Sequence, residues 1–530
     1  MATHDRAERV GRRARRGGRS YVFAAFGFAL VALLASCGGA GDGPEPLPAL
    51  PALPVTADAA PSEAPRPFRE FVIALTAEVR GEIEPCGCPT TPYGGFARRA
   101  RLLDGLRAEG VPVFVLDAGE MLVKGVRTEP GPERTARAKA VLDLAQATGL
   151  DAWAASPVDA LALGHEELAQ AGALAANGPE NFTPARVVER DGVRLGVIGL
   201  AAQDERFGGA DEAVARVRAS MTGEADAWVV LSNASDTANQ RVAEDVPGLA
   251  AVLSTRGEAL DAPVATRGAV RIEAPDRGRY VTVLRVAQAA APGPWVVTTA
   301  PEATRLAEAR ALAVRHSDAA ARAAAGPRLT QLRQALADLA AGRRLVVVEE
   351  RPLGSDLDPA KDAPQDSVTQ GVARWRARSA DEAQARAVQA PAHAWAGTGA
   401  CARCHADRLA AWTFDPHAKA YDSLLSRGEG TNPECLGCHT TGWGKPGGFG
   451  EPSAAALRTW KAVQCEACHG PLGNHPSPQR GAPEVSVSTC VSCHDAANSP
   501  QFDADVYLPR ISCSKLSAQA PALAPAAPAP

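Results

Sequence analysis

Apolar runs and amphipathic stretches alternate along residues 67–300 of this 530-residue chain. Runs rich in Val, Leu and Ile at 71–76, 111–117, 194–200 and 228–232 predict buried strands. Segments 133–146 and 212–221 carry apolar residues at helical spacing and predict helices between those strands. Because strands that alternate with helices are typical of an α/β domain, we expect one such domain over residues 67–300.

The pattern changes on either side of this domain. Residues 301–390 are rich in Ala, Leu and Arg and predict a helical connector, with one helix over 371–389. Residues 391–515 hold few long apolar periods and many Gly, Pro and His residues, so they could not bury enough surface alone. Segments 37–66 and 516–530 are Ala- and Pro-rich, and we interpret them as a tether and a tail.

Four Cys-x-x-Cys-His motifs crowd residues 391–515, and each is typical of a covalent attachment site for a c-type haem. The thiols are Cys401, Cys404, Cys435, Cys438, Cys465, Cys468, Cys490 and Cys493. The histidine after each pair would be the proximal iron ligand: His405, His439, His469 and His494. Zinc is the alternative, but zinc requires no histidine after every second cysteine. The spacing therefore favours four haem c groups, which would supply the missing core.

Distal iron ligands are scarcer than the four motifs require. Beyond the proximal histidines, this region offers His393, His417 and His475, and no methionine follows Met221. Three haems could thus be bis-histidine. The fourth would be five-coordinate, water-bound or ligated by another group.

The segments around the motifs, at 395–405, 412–420, 432–442, 463–471 and 490–502, resemble the cytochrome c-554-like family. These tetrahaem cytochromes accept electrons from hydroxylamine oxidoreductase. The resemblance implies a mainly α, loop-rich domain, an electron-transfer role and closely stacked haems, with His417 as a distal ligand. Many relatives have a histidine after the last motif where this chain has Cys513. Cys513 is then a thiolate ligand, a disulfide partner or a bystander.

The α/β domain resembles calcineurin-like metallophosphatases of the secreted 5′-nucleotidase type, which implies a sandwich that holds two metals. Its motifs stand in the family's order at 78–81, 116–120, 160–166 and 229–233. Most imidazole ligands are missing, however, since Glu78, Arg80, Glu120 and Asn233 stand at motif positions. Residues 254–257 replace the family's last His-x-His. The domain is thus expected to be degenerate, with no catalytic residue assigned.

Two further cysteines, Cys86 and Cys88, lie in a segment that resembles a signature of haem-linked relatives of that phosphatase fold. Thiols one residue apart can bind a metal, form a strained disulfide or belong to a structural loop with an oxidised pair.

The first 36 residues resemble a bacterial lipoprotein signal peptide. Five arginines between 12 and 19 precede an apolar stretch at 21–35, which is short for a membrane span. Cleavage before Cys37 would leave a lipid on its thiol; an ordinary secretory peptide and an uncleaved anchor are the alternatives. We therefore expect attachment to the periplasmic side of a bacterial membrane, inner or outer. The net charge of −4 gives no indication of nucleic-acid binding.

These patterns predict a lipid-anchored multihaem cytochrome c that relays single electrons between periplasmic or outer-membrane redox proteins. A reductase or oxidase that acts on a small nitrogen or sulfur species at an open iron is the first alternative. A module that docks a partner through the α/β domain, with accessory haems, is the second.

Overall fold

The computed structural model describes residues 68–85, 92–123, 132–255, 263–264, 266–275, 277–289, 294–298, 301, 305, 319–340, 344–359, 366–389, 395–426, 428–473, 485–494, 499 and 501–511. Within these ranges, no helix is both long enough and apolar enough to cross a membrane.

Two β-sheets form the first part of the chain, which we call the sheet domain (residues 68–352). Their strands are β1 Phe68–Thr76, β2 Val113–Asp117, β3 Ala152–Trp153, β4 Ala185–Arg190, β5 Val193–Leu200, β6 Ala227–Ser232, β7 Leu249–Thr255, β8 Val270–Ala274, β9 Tyr280–Ala289, β10 Val296–Val297 and β11 Arg344–Pro352. The first sheet has the order β10-β11-β9-β1-β2-β3, and the second has the order β4-β5-β6-β7-β8. Strands β1, β2 and β3 run parallel, as do β5 to β8, whereas β9 is antiparallel to β1 and β11.

The helices of the sheet domain are α1 Phe96–Ala108, α2 Pro132–Ala147, α3 Pro157–Leu163, α4 His165–Gln170, α5 Ala210–Ser220, α6 Asp236–Asp245 and α7 Ala319–Leu339. A long helix follows, α8 Ser367–Ala387. The C-terminal region (residues 395–511) contains α9 Thr398–Cys401, α10 Ala406–Trp412, α11 Asp422–Leu425, α12 Pro433–His439, α13 Ala454–Trp460, α14 Cys465–His469, α15 Val487–Val491 and α16 Ala504–Ile511.

Successive side chains of a strand point to opposite faces of its sheet. The two sheets pack face to face because each presents apolar side chains on the face that meets the other. Along β1, Phe71, Ile73 and Leu75 face the second sheet and join one core with its strands. The intervening Val72 and Ala74 face outward, where they pack on α1. Helices α5 and α6 cover the outer face of the second sheet in the same way. The sheet domain is thus a four-layer α/β sandwich, which confirms the predicted fold class.

All four predicted strands and both predicted helices between them are present, with small differences at their ends. The connector expected over 301–390 differs more, because β11 lies inside it and pairs with β9 in the first sheet. The β-branched run Val346-Val347-Val348 favours a strand over a helix. The sheet domain therefore extends to residue 352. The helix predicted over 371–389 is present as α8.

Helix α8 packs against both parts of the chain. Its Trp375 belongs to an apolar cluster with Ile83 and Phe96 of the sheet domain. Two turns later, Ala383 joins a cluster of the C-terminal region with Tyr421 and Leu436. The helix therefore ties the C-terminal region to one end of the sandwich.

Candidate functional site

Each Cys-x-x-Cys-His motif bends through a helical turn. The second motif lies within α12, and the third coincides with α14. In the first and fourth motifs, the amide of His405 or His494 donates to the carbonyl of the first cysteine at 2.9 Å. Because residues at spacings of three and four share one face of a helical turn, the two thiols and the imidazole of a motif lie on one side. That side is where a porphyrin would attach.

Contacts between motifs join them in two pairs. The thiols of Cys401 and Cys465 hydrogen-bond, which joins the first motif to the third. The thiols of Cys438 and Cys493 also hydrogen-bond, which joins the second motif to the fourth. Buried Glu466 adds to the first pair by accepting from the amides of Ala396 at 2.9 Å and Gly397 at 2.7 Å. Groups attached to paired motifs would therefore be neighbours.

The predicted proximal histidine of the second motif is held by a backbone carbonyl. His439 Nδ1 lies 2.7 Å from the carbonyl oxygen of Ala420. Since a carbonyl oxygen only accepts, Nδ1 carries the hydrogen and Nε2 keeps its lone pair for a metal. In the fourth motif, His494 Nδ1 lies 2.8 Å from Ser499 Oγ, and Phe502 stacks on the ring at 4.8 Å. Such outer contacts fix the ring of a metal-binding histidine.

His417, the predicted distal ligand, lies beside His494. The centroids of the two rings are 5.9 Å apart, and their planes are inclined by 79°. The carboxylate of Asp415 accepts from His417 Nδ1 at 2.9 Å and from its amide at 2.8 Å. Burial alone would raise the pKa of Asp415, but the hydrogen bonds and charge of His417 outweigh it and hold this pKa low. Nε2 of His417 is thereby left available to bind a metal.

A cavity of about 2920 Å³ connects the second, third and fourth motifs. This is about three times the upper limit of ordinary small-ligand pockets, roughly 300–1,000 Å³, so it has room for more than one large planar group. Its lining includes thiols or imidazoles of the second, third and fourth motifs, together with His417. Paired thiols, oriented imidazoles and a large cavity fit covalently held haem.

The same cavity is lined by residues of the sheet domain, a feature that the sequence analysis missed. Residues 80, 82–85 and 123, which follow the carboxyl ends of β1 and β2, contribute to its surface. Across this boundary Arg376 of α8 pairs with Glu84, and also with Glu429 at 3.3 Å. Glu434, next to Cys435, accepts from Arg137 at 3.1 Å and from Trp375 Nε1 at 3.0 Å. The charged residues Glu84, Arg137, Arg376, Glu429 and Glu434 are called the interdomain cluster below.

The interdomain cluster changes the acidity of its members and of the adjacent thiol. Burial raises the pKa of Glu84 to about 7, although the hydrogen bond and charge of Arg376 oppose it. Burial, with the charges of Glu429, Glu434 and Glu84, raises the pKa of Cys435 to about 12. These effects show that the second motif lies within the electrostatic reach of the sheet domain.

The motif positions of the sheet domain are occupied by side chains that bond to the protein itself. Glu78 pairs with Arg80, and both residues have positive φ, 48° and 53°. Asn233 donates to the carbonyls of Ala118 at 3.1 Å and Ala155 at 2.8 Å. Among the described residues, no group of three or more His, Cys, Asp and Glu side chains could hold a metal ion.

A buried arginine lies near the most buried carboxylate of these motifs. Burial lowers the pKa of Arg99 to about 10, against the charge of Asp117. Burial likewise raises the pKa of Asp117 to about 6, against the Thr76 hydrogen bond and the charge of Arg99. A guanidinium thus provides positive charge near this carboxylate. Predicted site residues Cys37, Cys86, Cys88, His393, His475 and Cys513 lie outside the described residues.

Comparisons with known proteins give different results for the two parts of the chain. Residues 400–470 match the family model for cytochrome c554 and c-prime. Cytochrome c-554 of Nitrosomonas europaea is 31% identical over 106 residues, which cover 17% of this chain and 43% of that protein. The chain thus spans less than half the length of this curated relative.

Solved structures match mainly the sheet domain. A 5′-nucleotidase precursor from Thermus thermophilus has a TM-score of 0.41 and 17% identity, over 61% of each chain. The calcineurin-like phosphoesterase YfkN from Bacillus subtilis has a TM-score of 0.34 and 17% identity, over 43% of this chain and 88% of that one.

Proposed function

We propose that this protein is a multihaem cytochrome c that transfers single electrons through four covalently bound haems, held at a bacterial membrane by lipid on Cys37. The observation that carries the proposal is the contact between motifs, Cys401 with Cys465 and Cys438 with Cys493, together with the neighbouring rings of His417 and His494. Similarity of residues 400–470 to the cytochrome c554 and c-prime family supports it.

The chain's own residues account for how the haems would be held. The cysteines of each motif would form thioethers, and His405, His439, His469 and His494 would bind the irons from the proximal side. When bound, haem iron supplies reversible one-electron chemistry. His417 would bind the haem iron of the fourth motif, and Asp415 keeps its Nε2 available by accepting a hydrogen bond from Nδ1. His393 and His475 are the remaining histidine candidates, with Cys513 as a further candidate.

Haem content tests the proposal directly. Denatured protein is expected to retain four haems by mass and by pyridine haemochrome, and Cys404→Ala should lose one. Arg403→Ala, within the same motif but outside the attachment chemistry, is the matched control and should keep all four. Protein that contains zinc and no covalent haem would overturn the proposal.

The second candidate is a reductase or oxidase that uses an open iron on a small nitrogen or sulfur species. This candidate is supported by the sequence, which offers three candidate distal histidines for four motifs. A high-spin ferric fraction near one haem in four that binds cyanide or nitric oxide would support this enzyme. Four uniform low-spin haems would support the electron carrier alone.

The membrane anchor has its own test. Cys37→Ser should move the protein from the membrane fraction to the periplasmic fraction, because a diacylglyceryl group on that thiol provides the strongest apolar anchor. Ser36→Ala, which keeps the thiol, should stay at the membrane. Retention of Cys37→Ser would assign the anchoring to residues 21–35 or to a partner.

The electron donor and acceptor are proposed to be periplasmic or outer-membrane redox proteins. The sheet domain could dock one of them. A pull-down with the intact protein and with variants of the sheet-domain surface would distinguish docking there from docking at the C-terminal region.

A further inference from the structure

The sheet domain contacts the second motif directly. Glu434 precedes Cys435 and is held by Arg137 of α2 at 3.1 Å and by Trp375 of α8 at 3.0 Å. Cys435 would bear one thioether of the second haem in the proposed function, so this contact holds the attachment residue against the sheet domain. Helix α8 strengthens it by packing on both sides.

The sheet domain reaches this site through the loops that follow its parallel strands. Residues 78–85 follow β1, and 118–123 follow β2; their backbones pair, as Glu78 N to Gly119 O at 2.9 Å and Gly81 N to Met121 O at 2.9 Å. Glu78, Arg80 and Glu120 have positive φ in these loops. Such strain persists only where the surrounding structure fixes it, and it clusters at functional sites. In α/β folds, the carboxyl ends of parallel strands are where ligands bind.

Glu84 is the carboxylate that these loops bring to the boundary. It is 5% exposed and pairs with Arg376, which also pairs with Glu429 at 3.3 Å. The charged and titratable groups that act on Glu84 are Arg376 on α8 and Glu429 and Glu434 of the C-terminal region, while Cys435 feels the charge of Glu84 in turn. A buried carboxylate with one cationic partner and two acidic neighbours is sensitive to any further negative charge.

We propose that the sheet domain completes the surroundings of the second haem, and that Glu84, acting through Arg376, sets its reduction potential and binds a proton on its reduction. The proposal rests on the proposed haem attachment at Cys435 and Cys438. In the balanced step, the Glu84 carboxylate takes up one proton from the buffered solvent, and the haem gains one electron from a one-electron donor. The pKa of Glu84, raised to about 7 by burial, allows this exchange near neutral pH.

The signs of the effects follow from charge. Ionised Glu84 favours the ferric haem and lowers its potential, whereas protonated Glu84 does not. The potential should therefore fall as pH rises through about 7. One proton bound per electron corresponds to a slope of at most about 59 mV per pH unit, since that value equals a tenfold change for a one-electron couple.

The test is a spectroelectrochemical titration of the intact protein at several pH values, after mass has established four haems. The second haem is identified as the component that Cys438→Ala lacks. Wild type should show the pH-dependent component, and Glu84→Gln should make it independent of pH and raise its potential above that of wild type at alkaline pH.

The matched control is Glu109→Gln. Glu109 is also buried and pairs with an arginine, Arg285, at 2.6 Å and 3.0 Å, but it precedes β2, at the opposite end of that strand from the cavity. This variant should keep the wild-type pH dependence. A change as large as that of Glu84→Gln would show that any lost ion pair disturbs the haem, and would overturn the proposal.

A second measurement uses the wild type alone, in case Glu84→Gln does not fold. The reduced-minus-oxidised infrared difference spectrum at neutral pH should gain the C=O band of a protonated carboxyl group. If this band is absent, or if four-haem protein has a second-haem potential independent of pH, the inference is wrong while the cytochrome assignment stands. Protein without covalent haem would instead overturn the proposed function.

Discussion

The sheet domain and the C-terminal region bury different kinds of side chain. In the sheet domain, Phe71, Phe114, Leu231 and Leu284 are fully buried between two sheets. The C-terminal region has one apolar cluster among its described residues, centred on Leu436, and its helices have four to eight residues. Such short helices are marginal without tertiary support. The contrast teaches that the first region can fold by its own apolar side chains, whereas the second needs another source of core.

Buried polar contacts provide part of the order in the C-terminal region. Thr441, Gln464 and Glu466 are buried there and bond to backbone groups, as Gln464 Nε2 does to the Thr459 carbonyl at 2.7 Å. These bonds specify geometry, but each contributes only about 1 kcal/mol net. They therefore fix where the motifs lie without replacing a hydrophobic core.

The largest expected effect comes from preventing haem attachment. Expression without the machinery for covalent haem attachment should leave residues 395–511 unfolded, because the porphyrins are expected to supply their core. Hydrogen exchange should show lost protection in α12 and α14 and retained protection in β1 and β9. The Cys404→Ser variant, which affects one motif, is the control and should lose only part of this protection. Native protection of α12 and α14 without haem would contradict this comparison.

The complementary change removes apolar volume from the sheet domain. Phe71 has no exposed surface and contacts Phe114 and Trp295, with ring centroids 5.7 Å and 6.2 Å apart. Phe71→Ala should lower the free energy of unfolding of this domain by about 3–5 kcal/mol, from lost transfer energy and a cavity. Urea unfolding followed by circular dichroism measures it.

Haem count is the second measurement on Phe71→Ala, and it should remain four. The matched control is Leu339→Ala, since Leu339 is 37% exposed and its truncation should change stability by at most about 0.5 kcal/mol. If Phe71→Ala lost haem while the sheet domain kept its free energy of unfolding, the two regions would not differ in the source of their stability.

Much of this contrast could be predicted from the sequence. Runs such as Val229-Val230-Leu231 predict strands because a buried parallel strand is apolar on both faces. Strand β11 was missed because its partner, β9, lies more than 50 residues earlier and no local turn joins them. Pairings of this kind depend on tertiary contacts, which periodicity does not report.

The candidate site likewise combines features that the sequence predicts with features that it does not. The spacing of each motif predicts its chemistry, and His417 is a predicted distal ligand because it is one of three further histidines in this region and lies in a segment that resembles the cytochrome family. The interdomain cluster was not predicted, because Glu84, Arg376 and Glu434 are far apart in the sequence and each residue alone resembles an ordinary surface charge. Only the fold brings them to one boundary.

A smaller effect concerns the buried carboxylate of the sheet domain. Asp117 accepts from Thr76 Oγ1 at 2.6 Å and from the Gly119 amide at 2.9 Å, and burial raises its pKa to about 6 from 3.8. The folded state then binds a proton more tightly than the unfolded state. The stability that this proton contributes is present below about pH 4 and is lost as pH rises through about 6.

Asp117→Asn removes this titration. The variant loses a hydrogen-bond acceptor, so its free energy of unfolding should be lower than that of wild type at pH 4. This difference in unfolding free energy should decrease by on the order of 1–3 kcal/mol by pH 7.5. Urea unfolding at the two pH values measures it. Asp143→Asn is the control, since Asp143 is exposed on α2. If the difference in unfolding free energy between wild type and Asp117→Asn increased with pH, the neighbours of Asp117 would favour its ionised form.

The smallest expected effect is the response of the sheet domain to added metal. A divalent ion that bound the folded state would stabilise it by about 2.7 kcal/mol at a hundredfold excess over its dissociation constant. We expect no shift in thermal midpoint with Mn²⁺, Zn²⁺ or Ca²⁺, and no hydrolysis of nucleotides or phosphate esters. The reason is chemical: Glu78 pairs with Arg80, Asn233 bonds to backbone carbonyls, and the cation of Arg99 already acts on Asp117. Metal-dependent hydrolysis by wild type that disappears in Glu78→Ala or Glu120→Ala would show that these loops keep a working metal centre, and the two regions would then both depend on bound metal.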